Sequence, residues 1–123
     1  MKILVIDDDA LYRELINKTL TKEGYEATLM SNGLEAMQKI REDKFDILIT
    51  DILMPEKEGI EVIQEVRESY PDLKIIAISS GGRVGYSSFL RIAEAFGANE
   101  SLEKPFRPDQ LIEKIVQLSA AQS

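Results

Sequence analysis

The sequence predicts an α/β fold: a doubly wound, parallel five-stranded sheet with helices on both faces. Three observations predict it. Short β-branched runs such as Ile3-Leu4-Val5-Ile6 and Ile47-Leu48-Ile49-Thr50 are apolar on both faces, as strands are when a parallel sheet is covered on both sides. Between these runs lie stretches whose apolar residues recur at helical spacing. The two patterns alternate along the whole chain as (βα)5. At 123 residues there is enough chain for one domain and its core, so residues 1–123 are read as a single unit.

The elements follow in order. Residues 3–6 form the first strand, stopped by acids. Residues 10–22 place Leu11, Leu15, Ile16 and Leu20 on a helix that Gly24 ends. Tyr25 to Met30 reads as the second strand. Asn32 with Glu35 makes an N-cap and its capping-box partner, opening a helix to about Glu42 that is expected to bury Leu34, Met37 and Ile40. Residues 47–50 are the third strand. Residues 59–69 are helical with Ile60, Ile63 and Val66 inward, and Leu73 to Ile78 is the fourth strand. Gly81, Gly82 and Gly85 make the next segment a loop. Residues 87–96 form a helix carrying Phe89, Leu90, Ile92, Ala93 and Phe96, stopped by Gly97. Residues 98–102 give a short fifth strand, and Pro108 opens a last helix to about Ser119.

Composition narrows the chemistry. Fifteen Lys and Arg against 22 Asp and Glu leave a net charge of −7, which argues against nucleic acid or an anionic membrane as a direct partner. There is no Cys and no His. That removes disulfides, zinc–thiolate sites, His-based acid–base catalysis and the Ser–His–Asp triad. Reactions must run on carboxylates, Lys, Arg, hydroxyls, backbone groups and a bound ion. The chain opens directly on a strand, without a signal-peptide pattern or an apolar run of about 18 residues, so a cytoplasmic location is expected.

In open parallel sheets the functional crevice lies at the carboxyl ends of the strands, where strand order reverses. Asp7-Asp8-Asp9 follows strand 1, Asp51 strand 3, Ser79-Ser80 strand 4 and Lys104-Pro105 strand 5. A flavodoxin-like order, 2-1-3-4-5, makes strands 1 and 3 neighbours and gathers Asp7, Asp8 and Asp51. Clustered carboxylates either take up protons or hold a cation. Oxygen-only ligands suit Mg²⁺. Opposite such an ion a phosphate fits, with Lys104 as point charge and Ser79 as hydroxyl donor. A carboxylate there can itself attack phosphorus and form an aspartyl phosphate.

Taken together, Ile3 to Asp9, Thr50-Asp51-Ile52-Leu53-Met54-Pro55 with Gly59, Ser79-Ser80 and Lys104-Pro105-Phe106 resemble the receiver domain of two-component response regulators. The resemblance runs in order over essentially the whole chain. It implies that Asp51 takes a phosphoryl group from phosphohistidine on a histidine kinase or phosphotransfer protein. Asp7, Asp8, Asp51 and the backbone carbonyl of Leu53 would hold Mg²⁺. The Lys104 ammonium, the Ser79 hydroxyl and the Ser80 backbone N–H would contact phosphoryl oxygens. Self-dephosphorylation would follow, with Leu53 and Gly81 beside the water's path and a slow to intermediate rate. The Lys104-Pro105 bond is expected to be cis. Output would pass to a downstream protein target or phosphorelay member, and a stand-alone receiver is expected.

One family trait is missing. The strand-5 position three residues before Lys104, usually aromatic in such domains, is Ser101. The expected route of signalling is therefore the 81–86 loop, with Tyr86 and Phe89 in the partner surface. Two other classes remain as alternatives. One is a Mg²⁺-dependent phosphatase of the haloacid-dehalogenase type attacking through Asp7, which would leave Asp51 idle. The other is a receiver-like binding module that is never phosphorylated.

Overall fold

The structure, a computed structural model, describes residues 1–52, 59–80, 91 and 93–121. Strands β1 (Lys2–Ile6), β2 (Glu26–Met30), β3 (Ile47–Asp51), β4 (Lys74–Ser80) and β5 (Glu100–Lys104) alternate with helices α1 (Ala10–Lys22), α2 (Gly33–Glu42), α3 (Gly59–Ser69) and, after β5, α4 (Pro108–Ala121). Residues 91 and 93–95 are also helical. All strands run parallel in the order β2-β1-β3-β4-β5, as the apolar runs predict.

Alternation along the strands sorts the core into two layers. On one face Leu4, Ile6, Leu48, Ile75 and Ala77 pack against Ala36, Met37 and Ile40 of α2 and Val62, Ile63 and Val66 of α3. On the other, Ile3, Val5, Ile47, Ile49, Ile76 and Ile78 pack against Ile16 and Leu20 of α1 and Leu111, Ile115 and Leu118 of α4. Both faces are covered, so neither could carry a polar stripe. Leu34, expected inside, is 59% exposed, and Leu11, one of the residues at helical spacing on α1, is 77% exposed. The buried stripe of α2 runs through Gly33, Ala36, Met37 and Ile40, about 100° from Leu34 at helical pitch. That of α1 runs through Ile16, Thr19 and Leu20, and Leu11 lies well off it. Helical spacing alone did not say which neighbours share the stripe.

Strand boundaries shift for hydrogen-bonding reasons. Tyr25 is the closing residue of α1, its N–H donating to Leu20 O at 3.0 Å, beside Gly24 at φ 83°. β5 begins at Glu100 and reaches Lys104, because pairing with β4 continues through Ser79–Glu103 and Ser80–Lys104. Ala98 instead closes the preceding helix onto Ala93 O, and Phe96 lies in the turn, 42% exposed. The amino-terminal pole of the sheet is stitched by Arg67. Its guanidinium donates to Gly97 O twice (3.1 and 2.7 Å), Pro71 O (2.7 Å), Leu73 O (2.8 Å) and Asn99 Oδ1 (2.9 Å). Asn99 Oδ1 also accepts from Ile75 N at 2.8 Å.

Candidate functional site

The carboxyl ends of β1, β3, β4 and β5 meet at the opposite pole. Asp7 follows Ile6 and is anchored by its backbone, with N–H on Met30 O at 3.1 Å and its carbonyl accepting from Arg13 Nη1 at 2.7 Å. Its Oδ1 accepts from Asp9 N at 2.9 Å. Asp9 turns outward and caps α1, accepting from Leu11 N at 2.9 Å; carboxylates there suit the positive end of the helix dipole. Asp8, between them, is exposed. Asp51 ends β3 and is 3% exposed, while Asp7 is fully buried.

Lys104 lies between the two buried acids. Its Nζ stands 2.8 Å from Asp7 Oδ2 and donates to Asp51 Oδ2 at 3.0 Å. The contact to Asp7 Oδ2 is an ion pair without a well-directed hydrogen bond, which leaves that buried oxygen without a hydrogen-bonded partner. Burial pushes the Asp7 carboxyl above the usual carboxylate range, and the pull of Lys104 only partly offsets it. For Lys104 burial acts to lower the pKa, but its contacts with Asp7 and Asp51 together raise it above the ordinary lysine value. The ammonium also sits over the ring of Tyr12, 4.2 Å from its centroid.

The sequence-selected residues fall as follows. One carboxylate oxygen each from Asp7, Asp8 and Asp51 lies within 4.8 Å of the others, and Lys104 joins the two buried acids. Ser79 is fully buried one position beyond Ile78, the register partner of Asp51. Ser80 ends β4 beside Lys104. Leu53, Gly81, Tyr86 and Phe89 lie outside the described residues, as does the 81–86 loop. Lys104-Pro105 is cis, as expected. Ser101, paired with Ala77, donates its hydroxyl to Glu94 Oε2 at 2.8 Å, tying β5 to the helical stretch before it. Tyr12 and Arg13 did not stand out in the sequence. Tyr12 does have a signal in hindsight, being one helical turn before Ile16 on the buried side of α1.

Three carboxylates, two of them buried, face the Lys104 ammonium and the Arg13 guanidinium on the Asp7 carbonyl, which leaves a surplus of negative charge at the strand ends. Such a surplus calls for a cation. The donors are all hard oxygens, and Asp7 Oδ2, whose ion pair with Lys104 is not a well-directed hydrogen bond, keeps acceptor capacity that a metal ion would engage. The residues present therefore fit a divalent ion of the Mg²⁺ type.

Known proteins resemble this chain in sequence and fold. A family model described as the response regulator receiver domain matches residues 3–116. The chemotaxis protein CheY of Thermotoga maritima is 37% identical over 119 residues, covering 96% of this chain and 97% of its own. Response regulator MprA of Mycobacterium leprae is 34% identical over 115 residues, 94% of this chain but 49% of its own, so the chain spans about half the length of that relative. Among solved structures, the response regulator TrrA of Thermotoga maritima in complex with Mg²⁺-BeF superimposes with a TM-score of 0.84 at 38% identity, covering 95% of this chain and 97% of that one.

Proposed function

Since the chain belongs to the response regulator receiver family, we propose that it is a single receiver domain over residues 1–123 and that Asp51 is its phosphoryl acceptor. One observation carries the reading: a buried carboxylate at a strand end, held by Lys104 beside Asp7 and Asp8. A phosphohistidine on a histidine kinase or phosphotransfer protein is the donor. The Asp51 carboxylate oxygen forms the new O–P bond as the P–N bond breaks. The departing imidazole keeps the electron pair and takes a proton from solvent.

Lys104 leaves its carboxylates to neutralise the incoming oxygens, and the Ser79 hydroxyl and Ser80 N–H donate to them. Asp7, Asp8, Asp51 and the Leu53 carbonyl are the ligands for Mg²⁺. When bound, the ion neutralises charge on the carboxylates and the phosphoryl group. The same site hydrolyses the phosphate in time, and the charge change is passed to a protein partner or the phosphoryl group onward. A cytoplasmic setting fits a kinase-fed receiver, and among the described residues no helix is long and apolar enough to cross a membrane.

Acetyl phosphate with Mg²⁺ is expected to add one phosphoryl mass to the wild type. Asp51→Asn abolishes the acid-labile adduct while Asp7→Asn, which a phosphatase attacking through Asp7 could not survive, retains some. An undiminished adduct in Asp51→Asn overturns the assignment.

Metal linkage gives a second test. At Mg²⁺ tenfold above its Kd the native state should gain about 1.4 kcal/mol, or roughly 5–6 °C in Tm for a chain this size. Asp8→Ala is expected to lose most of that rise. Without metal it should melt at or above the wild-type temperature, because a like charge has gone. An unchanged Mg²⁺ titration in Asp8→Ala counts against the site.

A further inference from the structure

Tyr12 is placed by three contacts of different kinds. It lies on the buried side of α1, one turn before Ile16. Its ring meets that of Phe106 at 5.6 Å between centroids, tilted by 48°. Its face carries the Lys104 ammonium at 4.2 Å. Phe106 is buried and only two residues past Lys104, so the segment that presents the ammonium also braces the ring beneath it.

Lys104 therefore has three attractive partners: Asp7, Asp51 and a π face. Their fates differ once the site is loaded. Both carboxylates are the groups a divalent cation and a phosphoryl group would claim. The ring has no formal charge and no lone pair that a hard cation prefers. It competes for neither, and its attraction for an ammonium strengthens as water is excluded. An ammonium on a flexible four-carbon stem is otherwise free to choose among many positions.

We propose that Tyr12 is a positioning residue for phosphoryl transfer: its ring holds the Lys104 ammonium over Asp51 after the carboxylates have been taken by other ligands. This inference rests on the phosphoryl-accepting reading above. It separates Tyr12 from the metal ligands, because the ring should matter to the incoming anion and not to Mg²⁺.

Three versions of the 123-residue chain test it: wild type, Tyr12→Phe and Tyr12→Leu, each first checked for a cooperative melt. The Lys104 Hε protons should be shifted upfield by the ring in wild type and Tyr12→Phe and return to the ordinary lysine position in Tyr12→Leu. With acetyl phosphate and saturating Mg²⁺, Tyr12→Leu should be phosphorylated about tenfold more slowly, and Tyr12→Phe at close to the wild-type rate. The Mg²⁺ Kd should be alike in all three. Wild-type phosphorylation of Tyr12→Leu overturns the proposal, as does equal impairment of Tyr12→Phe, which would assign the effect to the hydroxyl. Parallel loss of Mg²⁺ affinity would mean that the ring merely props the pocket, and also overturns it. A wild type that takes no Asp51-dependent adduct at all defeats the phosphoryl-accepting reading instead, whatever the Lys104 shifts show.

Discussion

Gly59→Ala is expected to lower stability by about 3 kcal/mol and to slow phosphorylation of Asp51 about a hundredfold. The cause is space and not backbone conformation. Gly59 opens α3 against the end of β3, so close that a Cβ there would overlap the Asp51 carbonyl oxygen and come within 2.6 Å of Ile52 Cα and 2.8 Å of the Asp51 carbonyl carbon. All three obstacles are backbone. None can swing aside as a side-chain tip would, so either the helix start lifts away or the strand end moves. Asp51 sits on that strand end, and a displacement of about 1 Å is enough to spoil an in-line approach. By contrast, a Cβ at Gly24 meets nothing within 4 Å, and at Gly97 it meets only the Arg67 side chain. Urea unfolding and the acetyl phosphate reaction check both halves. Wild-type midpoint and rate in Gly59→Ala would show that α3 does not approach this closely.

Lys104→Met is expected to cost about 3 kcal/mol at neutral pH without metal, because it strands two buried carboxylates. The loss should depend on pH, and the sign follows from the shifts. The folded-state pKa of Asp7 is raised, by burial first. Below its unfolded value near 3.8 its ionisation costs the fold nothing, and the cost emerges as pH rises through the folded value. Removing the ammonium raises Asp7 further, so the cost grows and extends to higher pH. Lys104 is raised as well, so its own contribution is complete below 10.5 and is lost only as pH climbs through the higher folded value. Acidification from pH 7.5 to 5 should therefore narrow the gap between variant and wild type, as should saturating Mg²⁺. Equal stability of the two proteins at both pH values would show that the ion pairs contribute nothing.

The acids were legible because Asp7 and Asp51 each end an apolar run, and a parallel sheet must put such ends together, whereas Lys104 stood out only by its place before Pro105 after strand 5. Ser79, a polar strand terminus, was singled out only alongside Lys104. Tyr12 was not, since an aromatic at helical spacing reads as core. Its meeting with Lys104 depends on how α1 crosses the sheet, which periodicity does not carry. Arg67 was not singled out at all, since nothing in a sequence marks an arginine near a helix end as a bridge, yet its acceptors reach as far as Asn99, 32 residues on. Leu34 misled because a hydrophobic residue one step off the stripe still fits a loose helical spacing. The early end assigned to β5 followed apolar content, whereas the ladder to β4 continues through Glu103 and Lys104.

The five hydrogen bonds of Arg67 have a mechanical consequence. They bind the end of α3, the approach to β4 and the turn before β5 into one block. Relative sliding of β4 and β5 at that pole would have to break several charge-assisted bonds at once. Local opening is cheapest where fewest such bonds must be broken. The sheet is thus pinned at the pole farthest from the carboxylates, whereas the ties at the other pole run through Lys104 to Asp7 and Asp51, groups that an arriving ligand would re-pair. A charge arriving at Asp51 and drawing Lys104 off its carboxylates would bend the β4–β5 pair about the Arg67 end, like a cantilever clamped at its root, with the largest excursions at the carboxyl ends of the strands.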